Sequence, residues 1–339
     1  MKLSERIEAL AALGDFLKHP NDELIAVVQS AFERNPWFIV EHINQAINAI
    51  ANNYLSLNEL HTWVSKYELP EAAPKKIGLI LAGNIPLVGI HDIIAVFISG
   101  HKSVIKLSDK DRVLIPYFVK VLSRVNNQSD EYFEFVERLT DYEAIIATGS
   151  NTSGALFEKY FDKVPHVIRK NKSGVAIIPK SISDAELKKL GSDIFSYFGL
   201  GCRNVSKLYI ENDFDISRLF KELDPYSDII NHNKYKNNYD FTNALYLMNE
   251  QQFVTNDVLI LKEDKHIASR IASVNYEFYT DPNQLEEILN EHYDEIQCVV
   301  TNFSISGFDV IPFGSTQSPL LMQYADGVDT IQFLLDLGL

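Results

Sequence analysis

Cysteine is scarce in this chain. There are two, Cys202 and Cys298, in 339 residues, and two so far apart make no disulfide framework. Reduced thiols and a cytoplasmic location are therefore expected. Basic residues are outnumbered: 31 Lys and Arg face 46 Asp and Glu, a net charge of −15. A surface of that sign attracts neither phosphate backbones nor anionic lipid, so no nucleic-acid partner is expected. Long apolar runs are also lacking. The longest, Ile77 to Gly100, is broken by Asn84, Pro86, His91 and Asp92, and predicts strand, turn and helix, so no membrane anchor is expected. The first ten residues include Glu5 and Glu8 and no apolar core of an export signal. Several motifs are missing as well. There is no G-x-G-x-x-G, no P-loop and no G-x-S-x-G elbow. No two histidines, nor a His and a Cys, pair at i,i+4, so no metal is expected.

Apolar periodicity is present, and it changes along the chain. Four helical segments come first, with Ile7, Leu10, Leu13 and Leu17 on one face of the first and a Ser56/Glu59 cap on the fourth. After Pro74 the pattern alternates: "KKIGLILAG", "KSVIKL", "EAIIAT", "HVIRK" and "GVAIIP" predict strands. "PLVGIHDIIAVFISG", "DRVLIPYFVKVLSRV", "DEYFEFVERL" and "TSGALFEKYF" predict helices between them. Alternation of this kind means a parallel sheet covered by helices. The second half repeats it, from a helix capped by Ser183 and Glu186 and running to Gly199, through "SKLYI", to "IQCVV". The stretch Asp224 to Asp240 is polar and predicts surface loop with a helical turn. The fold class is α/β, as two doubly wound domains behind a helical N-terminal segment.

Four places could carry chemistry. Cys202 lies in "FGLGCRN", between a helix end and a strand. Flanking glycine would let a carbonyl approach its sulfur, although a helix C-terminus opposes a thiolate, and a small core residue is the competing reading. Asn84, after the strand "LILAG", can donate two hydrogen bonds to an oxyanion or cap the next helix. Lys106, with Ser108 and Asp109 beside it, ends an apolar strand, where a cation can hold ribose or phosphate or simply be solvated. Thr148, Gly149 and Ser150 stand between strand and helix, an anion-binding arrangement or an ordinary N-cap. Cys298 alternates with Ile296 and Val300 and predicts a core thiol.

The order Asn84, Lys106, Gly149-Ser150, Cys202, then "IPFGSTQSP", resembles the aldehyde dehydrogenase superfamily. More narrowly, "FGLGCRNVSKLYI" and "PFGSTQSPLLMQYADGVDTIQFLLDLG" are similar to the acyl-CoA reductases typified by LuxC, the fatty-acid reductases of bacterial bioluminescence. The resemblance runs from about Lys75 onward. It implies an active site in the cleft between the two domains, with boundaries at 1–174 (N-terminal helices and nucleotide-binding domain), 175–311 (catalytic domain) and 312–339 (C-terminal return). It implies Cys202 as acyl-accepting nucleophile, with Asn84 and the Cys202 N–H as oxyanion donors. Lys106 and Ser108 would take the adenosine ribose of NADPH (NADH being the alternative), and Thr148, Gly149 and Ser150 its pyrophosphate. Phe313 would lie near the acyl channel. The implied partners are an acyl-CoA or acyl-carrier substrate, an acyl-transferring protein and further copies of the chain.

Two departures stand out. Where aldehyde-oxidising relatives carry a glutamate base, this chain has "VIRKNKSGVAII", with Arg169 and Lys170. The E-x-F-G-P stretch that relatives use on the nicotinamide ribose is not recognisable. The implied activity is reduction of an acyl thioester to an aldehyde through an acyl-cysteine. Aldehyde dehydrogenase, acyl-phosphate reductase and non-catalytic nucleotide-binding scaffold remain as alternatives.

Overall fold

A computed structural model of the chain describes residues 1–70 and 73–338; the last residue of the predicted return segment lies outside them. The chain divides into two compact units, Met1–Asn171 with Ser318–Leu339, and Lys172–Gln317.

The first unit begins with α1 (Leu3–Lys18), α2 (Asp22–Arg34), α3 (Val40–Asn53) and α4 (Leu57–Val64). Their starts follow the caps in the sequence: Asn21 accepts from the Leu24 N–H at 2.9 Å and Ser56 from the Glu59 N–H at 3.2 Å. Leu10, Leu13 and Leu17 of α1 are buried. The sheet that follows comprises β1 (Lys76–Ile80), β2 (Lys102–Lys106), β3 (Phe133–Phe135), β4 (Ala144–Thr148) and β5 (His166–Arg169). Its order is β3-β2-β1-β4-β5 and every pairing is parallel. The crossovers carry α5 (Ile90–Ile98), α6 (Leu114–Val125) and α7 (Asn151–Tyr160). β1 and β4 are apolar because parallel strands are covered on both faces. Gly78 is needed at the centre, since a Cβ there would meet the Ile145 Cδ1 at 2.5 Å.

The second unit has a seven-stranded sheet, β6 (Ser173–Ile178), β7 (Val205–Glu211), β8 (Phe253–Thr255), β9 (Ile260–Glu263), β10 (Ser273–Tyr279), β11 (Ile296–Val300) and β12 (Val310–Ile311). The order is β12-β11-β6-β7-β10-β9-β8. Only the edge pair β8 and β9 is antiparallel among the described residues. Its helices are α8 (Asp184–Phe195), α9 (Ile216–Leu223), α10 (Asn233–Met248) and α11 (Pro282–Glu291). A last helix, α12 (Thr330–Asp336), belongs to the first unit. Its approach is pinned by a buried chain of donors, from Trp63 Nε1 to the Tyr324 hydroxyl at 2.6 Å and from the Tyr67 hydroxyl to Asp329 at 2.7 Å.

Four elements differ from expectation. "DEYFEFVERL" is no helix: a 3-10 turn ends at Tyr132 and Phe133–Phe135 forms the edge strand β3, because alternating F-E-F suits an edge better than a covered helix. The helix after Asn84 starts at Ile90, not Pro86, behind a turn in which Leu87 is left-handed at φ 59°. The polar stretch from Asp224 is a 3-10 segment followed by α10, which already begins at Asn233. The helix before Cys202 stops at Phe195 and does not reach Gly199. No helix among the described residues is long and apolar enough to cross a membrane.

Candidate active site

The loop carrying Cys202 is built by an abrupt reversal. After α8 the backbone turns left-handed at Tyr197 (φ 52°), Phe198 (φ 58°) and Gly199 (φ 75°). Two consecutive bulky residues in that region cost of order 1–3 kcal/mol each and persist only where the surroundings enforce them. The surroundings here are aromatic: Phe198 stacks on His232 with ring centroids 4.2 Å apart, and Tyr197 and Phe198 are both buried. The reversal delivers Gly201 and Cys202 to a turn at the head of β7, where Cys202 is half-buried.

Asn204 holds that turn. Its side chain is 2% exposed. Its amide NH₂ donates to the carbonyls of Asp193 (3.0 Å) and Ser196 (2.8 Å), and its Oδ1 accepts the Gly201 N–H at 2.8 Å. The orphan carbonyls of α8 are thereby occupied, which weakens the negative helix end that sequence alone sets against a Cys202 thiolate. Asn204→Ala would leave buried groups unmatched at about 1–3 kcal/mol each. We expect a lower Tm for Asn204→Ala, which thermal unfolding beside the wild-type chain would check.

Cys298 is the contrasting thiol. It is 1% exposed, and burial pushes its pKa up to about 12. Its Sγ lies 4.0 Å from the Arg203 carbonyl. Its role is packing, and the sequence expectation of a core thiol agrees.

Asp193, on the same helix, ties down the Pro312-Phe313-Gly314 turn. Its carboxylate accepts the N–H of Gly314 at 2.6 Å and of Thr316 at 3.1 Å. Phe313 is 5% exposed and borders a cavity of about 430 Å³ shared with Lys189, Thr301 and Phe303. Burial of Asp193 outweighs these hydrogen bonds and raises its pKa from 3.8 to about 6. The folded state then binds this proton more tightly than the unfolded state, so the group's contribution to stability falls as pH rises from 3.8 through about 6. Asp193→Asn should flatten that part of the stability–pH curve. It should also lower stability by about 1–3 kcal/mol, because one N–H then faces an NH₂. Unfolding of both proteins between pH 4 and pH 7 would show it.

The first unit holds the other predicted residues. Asn84 lies in the turn after β1, half-buried. It is not a helix cap, because α5 starts six residues later behind Gly89. Gly83 packs on Ser108, whose Oγ would sit 2.5 Å from a Cβ at that position. Lys106 is exposed at the end of β2. It borders a largely apolar cavity of about 550 Å³ with Leu139, Leu156, Phe157, Tyr160 and two further cations, Arg138 and Lys159. Asp109, the anion beside Lys106 and Ser108, is paired with Arg112 at 2.5 Å, and Arg112 also meets Glu137. Thr148 ends β4, and the Gly149 N–H donates to the Arg169 carbonyl at 3.1 Å. Ser150 is the N-cap of α7, accepting the Ser153 N–H at 3.2 Å. Arg169 itself is locked inside, with an ion pair to buried Asp92 and a 2.9 Å bond to the Thr330 hydroxyl.

Asn204, Asp193 and Arg138 were not singled out by sequence. The partners of Asp193 lie more than a hundred residues away, and nothing in their spacing marks them.

No family model matches the chain. It is 26% identical over 251 residues to the long-chain acyl-protein thioester reductase of Aliivibrio fischeri, an alignment spanning 67% of this chain and 51% of that protein. The chain thus spans about half the length of this curated relative. Among solved structures, aldehyde dehydrogenase 21 of Physcomitrella patens, in complex with succinate, matches with a TM-score of 0.71 at 12% identity, covering 99% of this chain and 84% of that one. The NAD⁺ complex of an aldehyde dehydrogenase from Bacillus cereus matches with a TM-score of 0.62 at 11% identity, covering 88% and 72%.

Proposed function

We propose that this chain, which has the aldehyde dehydrogenase fold and a LuxC-like sequence, reduces an acyl thioester to an aldehyde through an acyl-cysteine at Cys202. The observation that carries the reading is the cysteine turn: one half-buried thiol at the head of β7, splinted by Asn204. The thiolate of Cys202 attacks the acyl carbonyl and the carrier thiolate leaves, exchanging one thioester for another. A reduced nicotinamide cofactor would supply hydride to the carbonyl carbon of the acyl-enzyme. Asn84 and the Cys202 N–H, the donors the resemblance implies, receive the oxyanion of the resulting thiohemiacetal. Its collapse releases the aldehyde and returns the thiolate.

Reduction is favoured over oxidation by Arg169. The stretch where oxidising relatives carry a base offers a guanidinium already committed to Asp92 and Thr330, so no carboxylate there activates water on the acyl-enzyme.

The cavity of the first unit fits an adenosine phosphate. Leu139, Leu156, Phe157 and Tyr160 offer apolar walls to a purine, and Lys106, Arg138 and Lys159 line the same cavity. With Asp109 held by Arg112, the cations favour a 2′-phosphate and hence NADPH over NADH.

Intact-mass analysis after incubation with a series of acyl-CoAs tests the proposal. A single acyl adduct on Cys202, released as aldehyde by NADPH, supports it. An adduct formed only from acyl phosphate, or released as free acid, would overturn it.

A further inference from the structure

A helix on a sheet ordinarily buries its apolar stripe. α10 is turned the other way. Its buried face is Tyr235, Tyr239, Thr242 and Tyr246, three phenols and a hydroxyl. Its most apolar residues face outward. Phe241 is 60% and Met248 84% exposed. Ala244 and Leu245 lie between them at the spacing of a single helix face. The end of the stripe is held in place. The Gln251 N–H donates to the Tyr246 carbonyl at 2.9 Å and the Glu250 N–H to the Leu247 carbonyl at 3.1 Å, with Glu250 left-handed at φ 53°. That closing motif usually takes glycine at the Glu250 position. Met248 is thus shown to solvent from an ordered turn. The chain then enters β8, an edge strand on which Val254 is exposed as well.

Charge indicates what covers this face. The chain carries −15, yet from Phe241 to Asn256 the one charged residue is Glu250, set among five amides: Asn243, Asn249, Gln251, Gln252 and Asn256. An anionic lipid surface needs cations beside the apolar stripe, and that stretch has none. A basic partner would be steered to acidic surface, not to this stretch. Two copies of an acidic chain repel one another, so they meet best where charge is absent. Amides both donate and accept, which makes an amide-rimmed apolar face complementary to itself.

We infer that two copies of the chain associate through α10, with the helices antiparallel about a twofold axis. One register satisfies the stripe. With the axis between Ala244 and Leu245, Phe241 lies against the partner's Met248, and Ala244 against the partner's Leu245. A twofold makes each pair twice. The small Ala244 lets the helices approach, and a thioether against an aromatic ring is a favourable contact. The same helix supports the turn of Cys202, because its N-cap His232 stacks on Phe198.

Sedimentation equilibrium of the full chain under reducing conditions tests this. The wild type should dimerise with a Kd on the order of 1 µM or below. Phe241→Lys and Met248→Glu should each weaken association by about 10²-fold or more, as loss of a central anchor does. The double variant Phe241→Lys, Met248→Glu should regain the dimer, because the twofold sets each new cation against the partner's new anion. Within one chain the two positions are about two turns apart and do not meet. Leu57→Lys, at another exposed apolar position, should leave association unchanged. A monomeric wild type overturns the proposal. So does a dimer that survives either single substitution, a double variant that stays monomeric, or dissociation by Leu57→Lys. Thermal unfolding should find every variant folded. A Phe241 or Met248 variant that unfolds assigns the stripe to the monomer's own packing and overturns the proposal too.

Discussion

Cys202→Ala should lower kcat with acyl-CoA by about 10⁴-fold or more, the scale seen when a covalent nucleophile is removed, and should erase the acyl adduct from the intact mass. The prediction follows from the inequality of the two thiols. Cys298 is sealed in β11 and its burial holds it protonated to about pH 12, so it cannot substitute. Cys202 is half-buried in a turn whose neighbours Gly199 and Gly201 place no side chain in the way of a carbonyl. Cys298→Ala is the matched control. It removes one buried sulfur, costs on the order of 1 kcal/mol as a small cavity, and should leave turnover within a few-fold. Iodoacetamide should label the native chain at Cys202 and spare Cys298. NADPH affinity should be the same in all three proteins. Turnover surviving in Cys202→Ala would end the acyl-cysteine mechanism, whatever the fold.

The cysteine turn was legible as a glycine-flanked break between a helix and a strand, but spacing alone left a small core residue as the competing reading of Cys202. How the turn is held was not readable. Phe198 follows Ile194 by four residues, which fits a continuing helix, yet the chain reverses at Tyr197 and Phe198 because tertiary packing on His232 overrides the period. Asn204 looks like an ordinary polar residue at a strand start, and only the fold brings the α8 carbonyls to its amide. β1, β2 and β4 were legible as short apolar runs between helices, a pattern parallel pairing imposes. The edge strand β3 and the two-residue β12 carry too few residues to show a period against their neighbours. Arg138 was missed for a different reason: an exposed arginine is common, and only the cavity beside it, shared with Lys106, gives it meaning.

Asn84 is where sequence and structure together sharpen a choice that sequence alone leaves even. An asparagine before a helix is ordinarily a cap, and a cap replaced by alanine costs about 0.5–2 kcal/mol of stability with no direct effect on rate. Here α5 begins at Ile90, and its N-cap position is Gly89 with no side-chain bond. The turn between is fixed by another residue, Asp111, which accepts the Leu87 N–H at 3.0 Å. Asn84 is therefore not the N-cap of that helix, and the oxyanion role is the one proposed for it. Asn84→Ala should lower kcat by roughly 10²–10³-fold, the loss expected for one oxyanion donor, with NADPH affinity unchanged and Cys202 still present as a thiol. Asn84→Asp is the stricter variant. It keeps the shape of the side chain but replaces the donating amide with a carboxylate, so it should be at least as slow as the alanine variant, by repulsion of the developing negative charge. The separating measurement is single-turnover formation of aldehyde beside thermal unfolding. Slow chemistry in a protein that melts near the wild-type temperature supports the donor role. A melting temperature that falls while the rate per folded molecule holds assigns Asn84 to structure instead.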